Sequence, residues 1–569
     1  MPVWTLVLTL ILGSSVSFAD DLIPAGDSAG VAQERFREQE AFEAERRLSE
    51  SAAAQTDAVD ETEAAAPAQP GALRVKLQAI ELSGNTLVPS SELTPLAAEW
   101  IGREVGLEDL KAIASKIKQA YRDRGYIAAY VYLPPQEISG GVVRLTVIEG
   151  RLGGIRIEGN RWYSEKALRA AVSLREGEVL FARPLTSDLA YLNKNQDLKA
   201  RAHLTPGAEP ETTDLVIRVE DRIPFHASAD VNNAGTRNTG VTRWGVGLAH
   251  NNLFGRMDQL SGRYQIGEGA WAVSSQYLLP LVHNRTDLML TYARSAVNLG
   301  GEFEALNIEG EASTYGADLR HKFWSGESSD LYANVGFDWK SVENRILDRA
   351  AGTDELRIIN TGIEWQQEDP TGRTFFPNTF HFGLADFLGS SIEEDPTASR
   401  VGSGGHFFVY RSSLIRYQRL PADMTLVARG SLQLSNDRLP PSEQLRLGGA
   451  FSVRGYPESD YLADSGAFLT TEVYMPTYFV PDDWKVPFTG EQLNRKVQMV
   501  GFVDFGGGEI ERPLVGERND RFLAGAGGGL RVHLWDRVFA RFNWAAPIGA
   551  APADGSKSAF YYGISTELI

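Results

Sequence analysis

The chain has 569 residues, of which 43% are hydrophobic, and its 56 basic and 74 acidic side chains give a formal net charge of −18. The apolar content is too high for a disordered chain, and the acidic balance argues against nucleic acid as a partner, because phosphate binding requires clustered Lys and Arg. Cysteine is absent, which excludes disulfides, thiolate metal sites and cysteine nucleophiles.

The first 19 residues are typical of a secretory signal. Residues 3–12 (VWTLVLTLIL) form a short apolar run, and residues 17–19 (SFA) supply the small residues that a signal peptidase recognises. The segment departs from the usual pattern because no Lys or Arg precedes the run. A membrane anchor is the alternative, but the run is too short to cross about 30 Å of hydrocarbon as a helix.

Residues 20–50 are polar and favour a helix, since residues 31–49 lack Gly and Pro and are rich in Glu, Gln, Arg and Ala. Phe36, Phe42 and Leu48 form no wide apolar stripe, so such a helix must lie in water or in a polar cavity. Residues 51–73 are typical of a flexible linker. On the sequence alone, a solvated tail is the favoured interpretation of both segments.

Two copies of one small unit follow, at residues 74–150 and 151–222. Each has the predicted order β-α-α-β-β, and in each the first strand ends at a Gly-Asn pair. In the first copy we predict one strand over residues 76–82 and an amphipathic helix over residues 107–124. Ala129, Val131 and Leu133 share one face of a predicted edge strand, which could bind an extended peptide by β-augmentation.

Residues 223–569 change to a period of two. One face is apolar and often aromatic, as at Trp244, Val246 and Leu248, whereas the other is small or polar. A transmembrane antiparallel β-barrel requires this pattern, and at about 20 residues per strand and turn the length allows about 16 strands. A soluble all-β domain also alternates, but the signal sequence favours the barrel.

Catalytic spacings are sparse. The eight His are scattered, and the sequence holds no HExxH, GxSxG or GxxxxGK[ST] motif. Residues 524–529 (AGAGGG) favour a barrel strand with a nearly bare inner face, against which another segment could pack closely. We therefore predict that the protein is not an enzyme and uses no cofactor or metal.

Two further motifs lie about fifty residues apart. Residues 448–457 (GGAFSVRGYP) form a predicted loop, and residues 497–506 (VQMVGFVDFG) form a predicted strand whose Phe502, Asp504 and Gly506 point inward. A carboxylate in a narrow lumen needs a partner or water, and Arg454 is the natural candidate. The alternative, a solvated Arg454 and an Asp504 that merely lines a wet pore, has equal weight on these residues alone.

These motifs resemble those of the two-partner secretion transporters, the outer-membrane exporters of filamentous haemagglutinins and haemolysins. The similarity to the first polypeptide-transport-associated (POTRA) domain of that family lies in residues 80–86 (IELSGNT), 121–126 (YRDRGY), 133–136 (LPPQ) and 147–150 (VIEG). The pore-loop motif is matched by Val453, Arg454, Gly455 and Tyr456. Its barrel-wall partner is matched by residues 502–506 (FVDFG).

The resemblance implies two periplasmic POTRA domains, a 16-stranded barrel in the outer membrane of a Gram-negative bacterium, and contact between Arg454 and Asp504. It also implies that the helix in residues 20–50 plugs the lumen, tethered by residues 51–73. The chain end departs from the family, since Ile569 is not aromatic and has the opposite parity from Phe560 and Ile564. The register of the last strand is therefore left open.

The function implied is export without nucleotide hydrolysis. The POTRA domains would bind an unfolded secreted partner, a large β-helical exoprotein, which would thread a monomeric barrel surrounded by lipid. An insertase of outer-membrane proteins is the alternative, although bacterial assembly factors usually carry more POTRA repeats and no plug helix. A passive porin or receptor would need no such repeats.

Overall fold

The computed structural model describes residues 27–37, 74–326, 328–481, 483–487, 489–535 and 537–569. The chain divides into two compact units, one of residues 1–49 with 225–569 and one of residues 50–224. The predicted signal and linker lie outside the described residues. None of the helices in the described ranges is long and apolar enough to cross a membrane.

The first repeat contains the predicted order β-α-α-β-β together with two further short strands. Its elements are β1 (Val75–Lys76), β2 (Ala79–Ser83), α2 (Ser90–Leu93, continued as a 3-10 helix over Thr94–Trp100), β3 (Glu104–Val105), α3 (Leu107–Asp123), β4 (Tyr130–Tyr132) and β5 (Val142–Ile148). Strand β5 lies at the centre of the sheet, parallel to β2 and antiparallel to the edge strand β4. Helix α3 buries Leu110, Ile113 and Ile117 in the core of this repeat.

The single strand predicted over residues 76–82 is wrong. The chain breaks at Leu77, which is fully buried and exchanges backbone hydrogen bonds with Gly102 and Arg103. Strand β1 therefore pairs with β3 in a separate two-stranded sheet, while β2 joins the main sheet. Period-two alternation does not distinguish one strand from two that change partners midway.

The three-stranded sheet of the second repeat has the same topology as that of the first. Its elements are β6 (Arg151–Glu158), α4 (Glu165–Ala170), α5 (Ala182–Lys194), β7 (Leu198–Pro206) and β8 (Thr212–Asp221). Strand β8 is central, parallel to β6 and antiparallel to β7. The repeats meet at the end of α3, where the Ala182 N–H donates to the Gly125 carbonyl (2.9 Å) and the Tyr126 and Phe181 rings lie 4.8 Å apart.

The sequence motifs of the repeats form one recurring turn. Gly84 and Gly159 both have positive φ, +82° and +89°, and each lies against the carbonyl of a residue on the last strand of its repeat. In the first repeat, the Glu149 carboxylate accepts hydrogen bonds from the Leu87 N–H (2.6 Å) and the Tyr121 hydroxyl (2.9 Å). Burial and that carboxylate raise the pKa of the Tyr121 hydroxyl. The Gly-Asn pair and the VIEG glutamate therefore stabilise the same corner.

The remaining strands build a closed antiparallel barrel of 16 strands, so the predicted fold class is confirmed. In chain order the strands of this region are β9 (Phe225–Asn232), β10 (Arg243–His250), β11 (Gln259–Ile266), β12 (Ala270–Val282), β13 (Thr286–Asn298), β14 (Glu309–Ser325), β15 (Ser329–Ile346), β16 (Arg349–Asp369), β17 (Gly372–Gly383), β18 (Phe407–Leu420), β19 (Met424–Ser435), the short ribbon β20 (Leu445–Leu447) and β21 (Tyr461–Ala463), β22 (Ser465–Pro476), β23 (Val497–Glu509), β24 (Asp520–Leu534), β25 (Val538–Pro547) and β26 (Ala559–Glu567). Strands β20 and β21 pair only with each other, and all the others form the barrel wall.

The two faces of the barrel differ as the alternation predicts. Trp244 is 62% exposed on the outer face, whereas Gln433 and Asn543 are buried on the inner face. The barrel closes between β26 and β9, with Ile564 opposite Val231. The Leu568 N–H donates to the Ala227 carbonyl beyond the last strand. This pairing gives the register that the parity of Ile569 leaves open.

The recurring turn of the first repeat can be tested with a matched pair of glycines. Gly84→Ala places a Cβ 2.2 Å from the Val147 carbonyl, whereas Gly102→Ala meets nothing within 4 Å at a similar φ of +85°. We expect the second change to cost only the backbone penalty of about 1–2 kcal/mol, and the first to cost more. Hydrogen exchange of β2 and β5 in the full chain should rise further in Gly84→Ala, and equal rates would contradict this account.

Candidate functional site

The loop between β19 and β22 folds into the barrel and carries the VRGY motif. Its ribbon, β20 and β21, packs with Val453 and Tyr456 in a buried cluster that also contains Leu523 of the wall. Residues 448–460, which include the motif segment 448–457, connect the two strands of this ribbon. The predicted loop is therefore held by its own apolar core as well as by polar contacts with the wall.

The structure brings Arg454 and Asp504 together. The Nε and Nη2 atoms of Arg454 each donate to one oxygen of the Asp504 carboxylate at 2.7 Å, and the Arg454 backbone N–H also donates to Oδ2 at 3.1 Å. The guanidinium lies over the Phe502 ring, with Cζ 3.4 Å from its centroid. Arg454 and Asp504 are both buried. The solvated alternative for this arginine is wrong.

A second carboxylate completes the site. Glu472 on β22 faces inward and pairs with the remaining Nη1 of Arg454, and Arg531 on β24 lies 3.8 Å from the other oxygen of Glu472. Arg454 and Arg531 thus lie beside two carboxylates in a buried cluster, where each buried charge requires a partner of opposite sign. Sequence reasoning missed Glu472, although its parity on β22, opposite the exposed Leu469, marks it as inward-facing.

Gly455 and Tyr456 lock the loop to the last strands. Gly455 has a φ of +100°, and a Cβ there would lie 2.8 Å from the Pro547 nitrogen. The Gly455 N–H donates to the Tyr561 hydroxyl (3.0 Å), which in turn donates to the Tyr456 carbonyl (2.8 Å). The Tyr456 hydroxyl bonds to the backbone of Ala524 on β24. The sequence analysis did not predict Tyr561. Its position between the outward-facing Phe560 and Tyr562 does indicate that its side chain faces inward.

The bare inner face of β24 accommodates the loop. A Cβ on Gly525 would lie 1.8 Å from the Arg454 carbonyl oxygen, and one on Gly527 would lie 2.7 Å from the Phe502 ring. On β23, a Cβ on Gly506 would lie 2.8 Å from Val453. Gly506 and Gly525 therefore allow the loop to pack closely against the wall, and Gly527 leaves room for the Phe502 ring beneath Arg454. Close packing of another segment against residues 524–529 is what the sequence predicts.

The N-terminal helix α1 (residues 29–37) lies inside the barrel. Ala29 forms a buried cluster with Val297, Ala312 and Val342 of the wall, and Ala32 packs against that cluster. The side-chain amide of Gln33 donates to the Ala312 carbonyl (3.1 Å) and accepts from the Thr314 hydroxyl (2.8 Å). The helix thus occupies a polar cavity rather than open water, and the part predicted beyond residue 37 lies outside the described range.

One lysine connects this helix to the motif loop. Lys340 of β15 donates to Glu34 of α1 at 2.8 Å and to Glu443, at the start of the loop, at 2.5 Å. Arg411 also donates to Glu443. Nearby, a Cβ on Gly30 would lie 2.9 Å from Ser442, so the helix and the loop are in direct contact. Glu34, Lys340 and Glu443 form what we call the lysine bridge.

The predicted peptide-binding strand lies at the edge of its sheet. Ala129 and Val131 are buried in the core of the first repeat, and Leu133 packs against that core. The side chains that face outward are Tyr130, 55% exposed, and Tyr132, whose rings stack 6.3 Å apart. Binding through Ala129, Val131 and Leu133 stays a prediction, and it would use their backbone rather than their side chains.

Two α/β repeats, a closed 16-stranded barrel and an inward loop that carries a buried arginine together define the class of outer-membrane barrels with POTRA domains. Residues 211–532 match the family described as haemolysin secretion/activation protein ShlB/FhaC/HecB, and residues 75–150 match the ShlB-type POTRA domain. The chain belongs to this family of two-partner secretion proteins.

Individual relatives agree with this assignment. The chain is 26% identical over 408 residues to the heme/hemopexin transporter protein HuxB of Haemophilus influenzae, covering 69% of this chain and 71% of the relative. It is 26% identical over 418 residues to the outer membrane transporter CdiB of Dickeya dadantii, covering 71% and 73%. The solved structure of CdiB from Escherichia coli has the same fold, with a TM-score of 0.70 at 20% identity over 98% of this chain and all of that one. The predicted outer-membrane location is confirmed.

The close fit of β24 to the loop yields a test. Gly525→Ala would place a Cβ 1.8 Å from the Arg454 carbonyl oxygen, which is a severe overlap. Gly528→Ala on the same strand would place a Cβ 3.2 Å from the Val500 carbonyl oxygen. We expect Gly525→Ala to displace residues 448–457 and to raise their hydrogen exchange several-fold in detergent-solubilised protein. Gly528→Ala is the control, and unchanged exchange in both variants would show that the loop does not depend on this contact.

Proposed function

We propose that this protein exports an unfolded partner polypeptide through its barrel, without nucleotide hydrolysis, after the POTRA domains bind that partner in the periplasm. The proposal rests above all on the observation that helix α1 and the motif loop both occupy the barrel interior. Both segments contact the wall through polar groups that can exchange partners. Such a lumen can be closed at rest and can open when a polypeptide has to pass. The names of the transporters HuxB and CdiB support the same function, although each name describes only that relative.

The contacts of α1 favour reversible occupancy. The helix is held by the Gln33 hydrogen bonds, by the lysine bridge and by a small apolar cluster around Ala29. Water and a passing polypeptide can replace such hydrogen bonds at modest net cost, since a typical one contributes only about 0.5–1.5 kcal/mol. The helix would therefore leave the lumen when the partner engages.

The Arg454 cluster would hold the loop against the barrel wall during export. Removing the guanidinium would leave Glu472 and Asp504 buried with one cation fewer. Breaking such a buried pair costs about 3–5 kcal/mol, which is far more than the loss of an exposed pair. The role proposed for Arg454 is thus to position the loop through its contacts with Asp504 and Glu472.

Insertion of outer-membrane proteins remains the second candidate, because an insertase shares the barrel and both motifs. Two POTRA repeats and a helix within the lumen favour export. Deletion of the gene separates the two functions. Loss of one large extracellular polypeptide from the medium, with normal levels of other outer-membrane barrels, supports export. A general loss of barrels supports insertion.

Replacement of Arg454 tests the role of the buried cluster. We expect Arg454→Ala to lower the amount of exported partner at least tenfold, because about 3–5 kcal/mol of loop attachment is lost and each 1.4 kcal/mol is a factor of ten. The measurement is the extracellular level of the polypeptide that the deletion strain fails to release. Heat-modifiable migration should show that the barrel still folds.

Arg263→Ala provides the matched control. Arg263 forms a buried ion pair with Asp230 at 2.8 Å on another part of the inner wall. Export by this variant should stay close to that of the unmodified protein. Equal export by both variants, or equal loss in both, would remove the specific role of Arg454.

The lysine bridge makes a separate prediction for the helix. In Lys340→Ala, Glu34 and Glu443 lose their shared cation, so the free energy that holds α1 in the lumen falls. Planar-bilayer recordings should show a larger open fraction than the unmodified protein. Lys322→Ala is the control, since Lys322 pairs with Asp330 at 3.4 Å, away from α1. Identical recordings for all three proteins would contradict the proposed attachment.

A further inference from the structure

Three loops meet at one buried carboxylate at the extracellular end of the barrel. The loops that follow β17, β19 and β23 share one end of the antiparallel barrel. Strand β9 follows the POTRA domains along the chain and begins at the opposite end, so the shared end is the extracellular one. Asp464, the residue between β21 and β22, is fully buried there.

The Asp464 carboxylate accepts hydrogen bonds from all three loops. Arg400, of the loop after β17, donates to Oδ1 at 2.6 Å and to Oδ2 at 3.0 Å. The Leu439 N–H (3.1 Å) and the Gln444 side-chain amide (3.0 Å), both of the loop after β19, donate to Oδ1. The Glu511 N–H, of the loop after β23, donates to Oδ2 at 2.8 Å. A bidentate arginine pair with three further donors fixes the geometry of this junction.

Residues 438–444, which we call the mouth segment, lie inside the extracellular end of the barrel. Every residue of the segment is buried. Leu439 forms an apolar cluster with four residues of β16 and β18, namely Leu356, Ile358, Phe407 and Val409. Because the adjacent Ile359 and Phe408 are exposed on the outer face, the cluster lies on the inner face. The mouth segment therefore takes up part of the opening through which a polypeptide would leave.

The other end of the mouth segment is held by the same two neighbouring loops. The Arg438 guanidinium donates to both oxygens of the Glu517 carboxylate, at 2.7 and 2.5 Å, in the loop after β23. Its Nε also donates to the Val401 carbonyl at 2.6 Å, in the loop after β17. These contacts join loops to loops, so the segment can be released without breaking the strand ladder of the wall.

Asp464 is distant from the Arg454 cluster along the wall. The Asp464 N–H donates to the carbonyl of Glu509, the last residue of β23, at 2.9 Å. Asp504 lies five residues further down this strand, which is about 17 Å at about 3.3–3.4 Å per residue. The two carboxylates therefore hold different parts of the same loop, since Asp504 binds the motif residues and Asp464 binds the segment that precedes them.

We propose that Asp464 positions the mouth segment across the extracellular exit, as a closure separate from helix α1 and from the Arg454 cluster. Arg400 and the loops after β17 and β23 would have to release this segment before the exit is fully open. The inference rests on the proposed function, because a closure at this end matters only if a polypeptide leaves there. Its test measures access to the exit and needs no exported partner.

The absence of cysteine permits a direct test of access. Leu439→Cys in the full chain would be labelled in intact cells with a maleimide on a polymer too large to cross the outer membrane. We expect the labelling rate to rise several-fold when Asp464→Asn is added. The amide keeps the size of the side chain but removes the charge, and it turns a donor group toward the donors of the three loops.

Asp460→Asn is the matched control. Asp460 belongs to the same loop, and its buried carboxylate lies 2.7 Å from Arg521 and accepts the Ala553 N–H at 2.8 Å. The same substitution there disturbs an ion pair on the side of β24. The labelling rate of Leu439→Cys should stay within about twofold of the starting value. An equal rise in both variants would show general loosening of the loop and would overturn the proposal.

Arg400→Ala serves as the second variant, because it breaks the same ion pair from the opposite loop. It should raise labelling as Asp464→Asn does, and Arg400→Lys, which keeps the cation, should raise it less. Heat-modifiable migration identifies the folded barrels that are compared. Labelling that stays unchanged in both Asp464→Asn and Arg400→Ala would overturn the proposal. A rise in labelling, in a protein whose deletion removes no extracellular polypeptide, would support the closure and reject the proposed export.

Discussion

A guanidinium buried between two carboxylates is the interaction on which the barrel interior depends. Arg454 reaches both carboxyl oxygens of Asp504 and one of Glu472, and Arg531 supplies the second cation. Desolvating these groups costs as much as their attraction returns, so the cluster does little for overall stability. Its value is geometric, because a forked guanidinium between two fixed acceptors permits few positions of the loop.

Residues of the barrel wall allow the loop to take up this position. Gly506, Gly525 and Gly527 leave room for the loop backbone and the Phe502 ring, and Tyr561 links consecutive motif residues through one hydroxyl. Such glycines would weaken an ordinary strand, since they bury no side chain. In β23 and β24 they are compensated by the loop, which supplies from inside the barrel the packing that the strands lack.

The sequence predicts those features of the structure that leave a repeated or recognisable pattern of residues. Period-two alternation together with the signal sequence predicts the barrel, and the repeated Gly-Asn turn predicts the two α/β domains. The contact between Arg454 and Asp504 is favoured only by the resemblance of their motifs to those of the family. Sequence reasoning failed where contacts depend on closure of the barrel. Glu472 and Tyr561 lie on other strands, and only the register brings them to Arg454 and Gly455. The break at Leu77 likewise depends on a partner strand that alternation does not reveal.

Lys340 donates to one carboxylate on the helix and to one on the loop. If α1 leaves the lumen as proposed, this sharing would set the order in which the two segments move. While both are present, Glu34 and Glu443 compete for one ammonium group. Once α1 has departed, the Lys340 ammonium group would pair with Glu443 alone, and Arg411 would remain the second cation that contacts Glu443. Departure of the helix would therefore strengthen the attachment of the loop to the wall. The barrel would empty in two separate stages, and the second would need its own driving force.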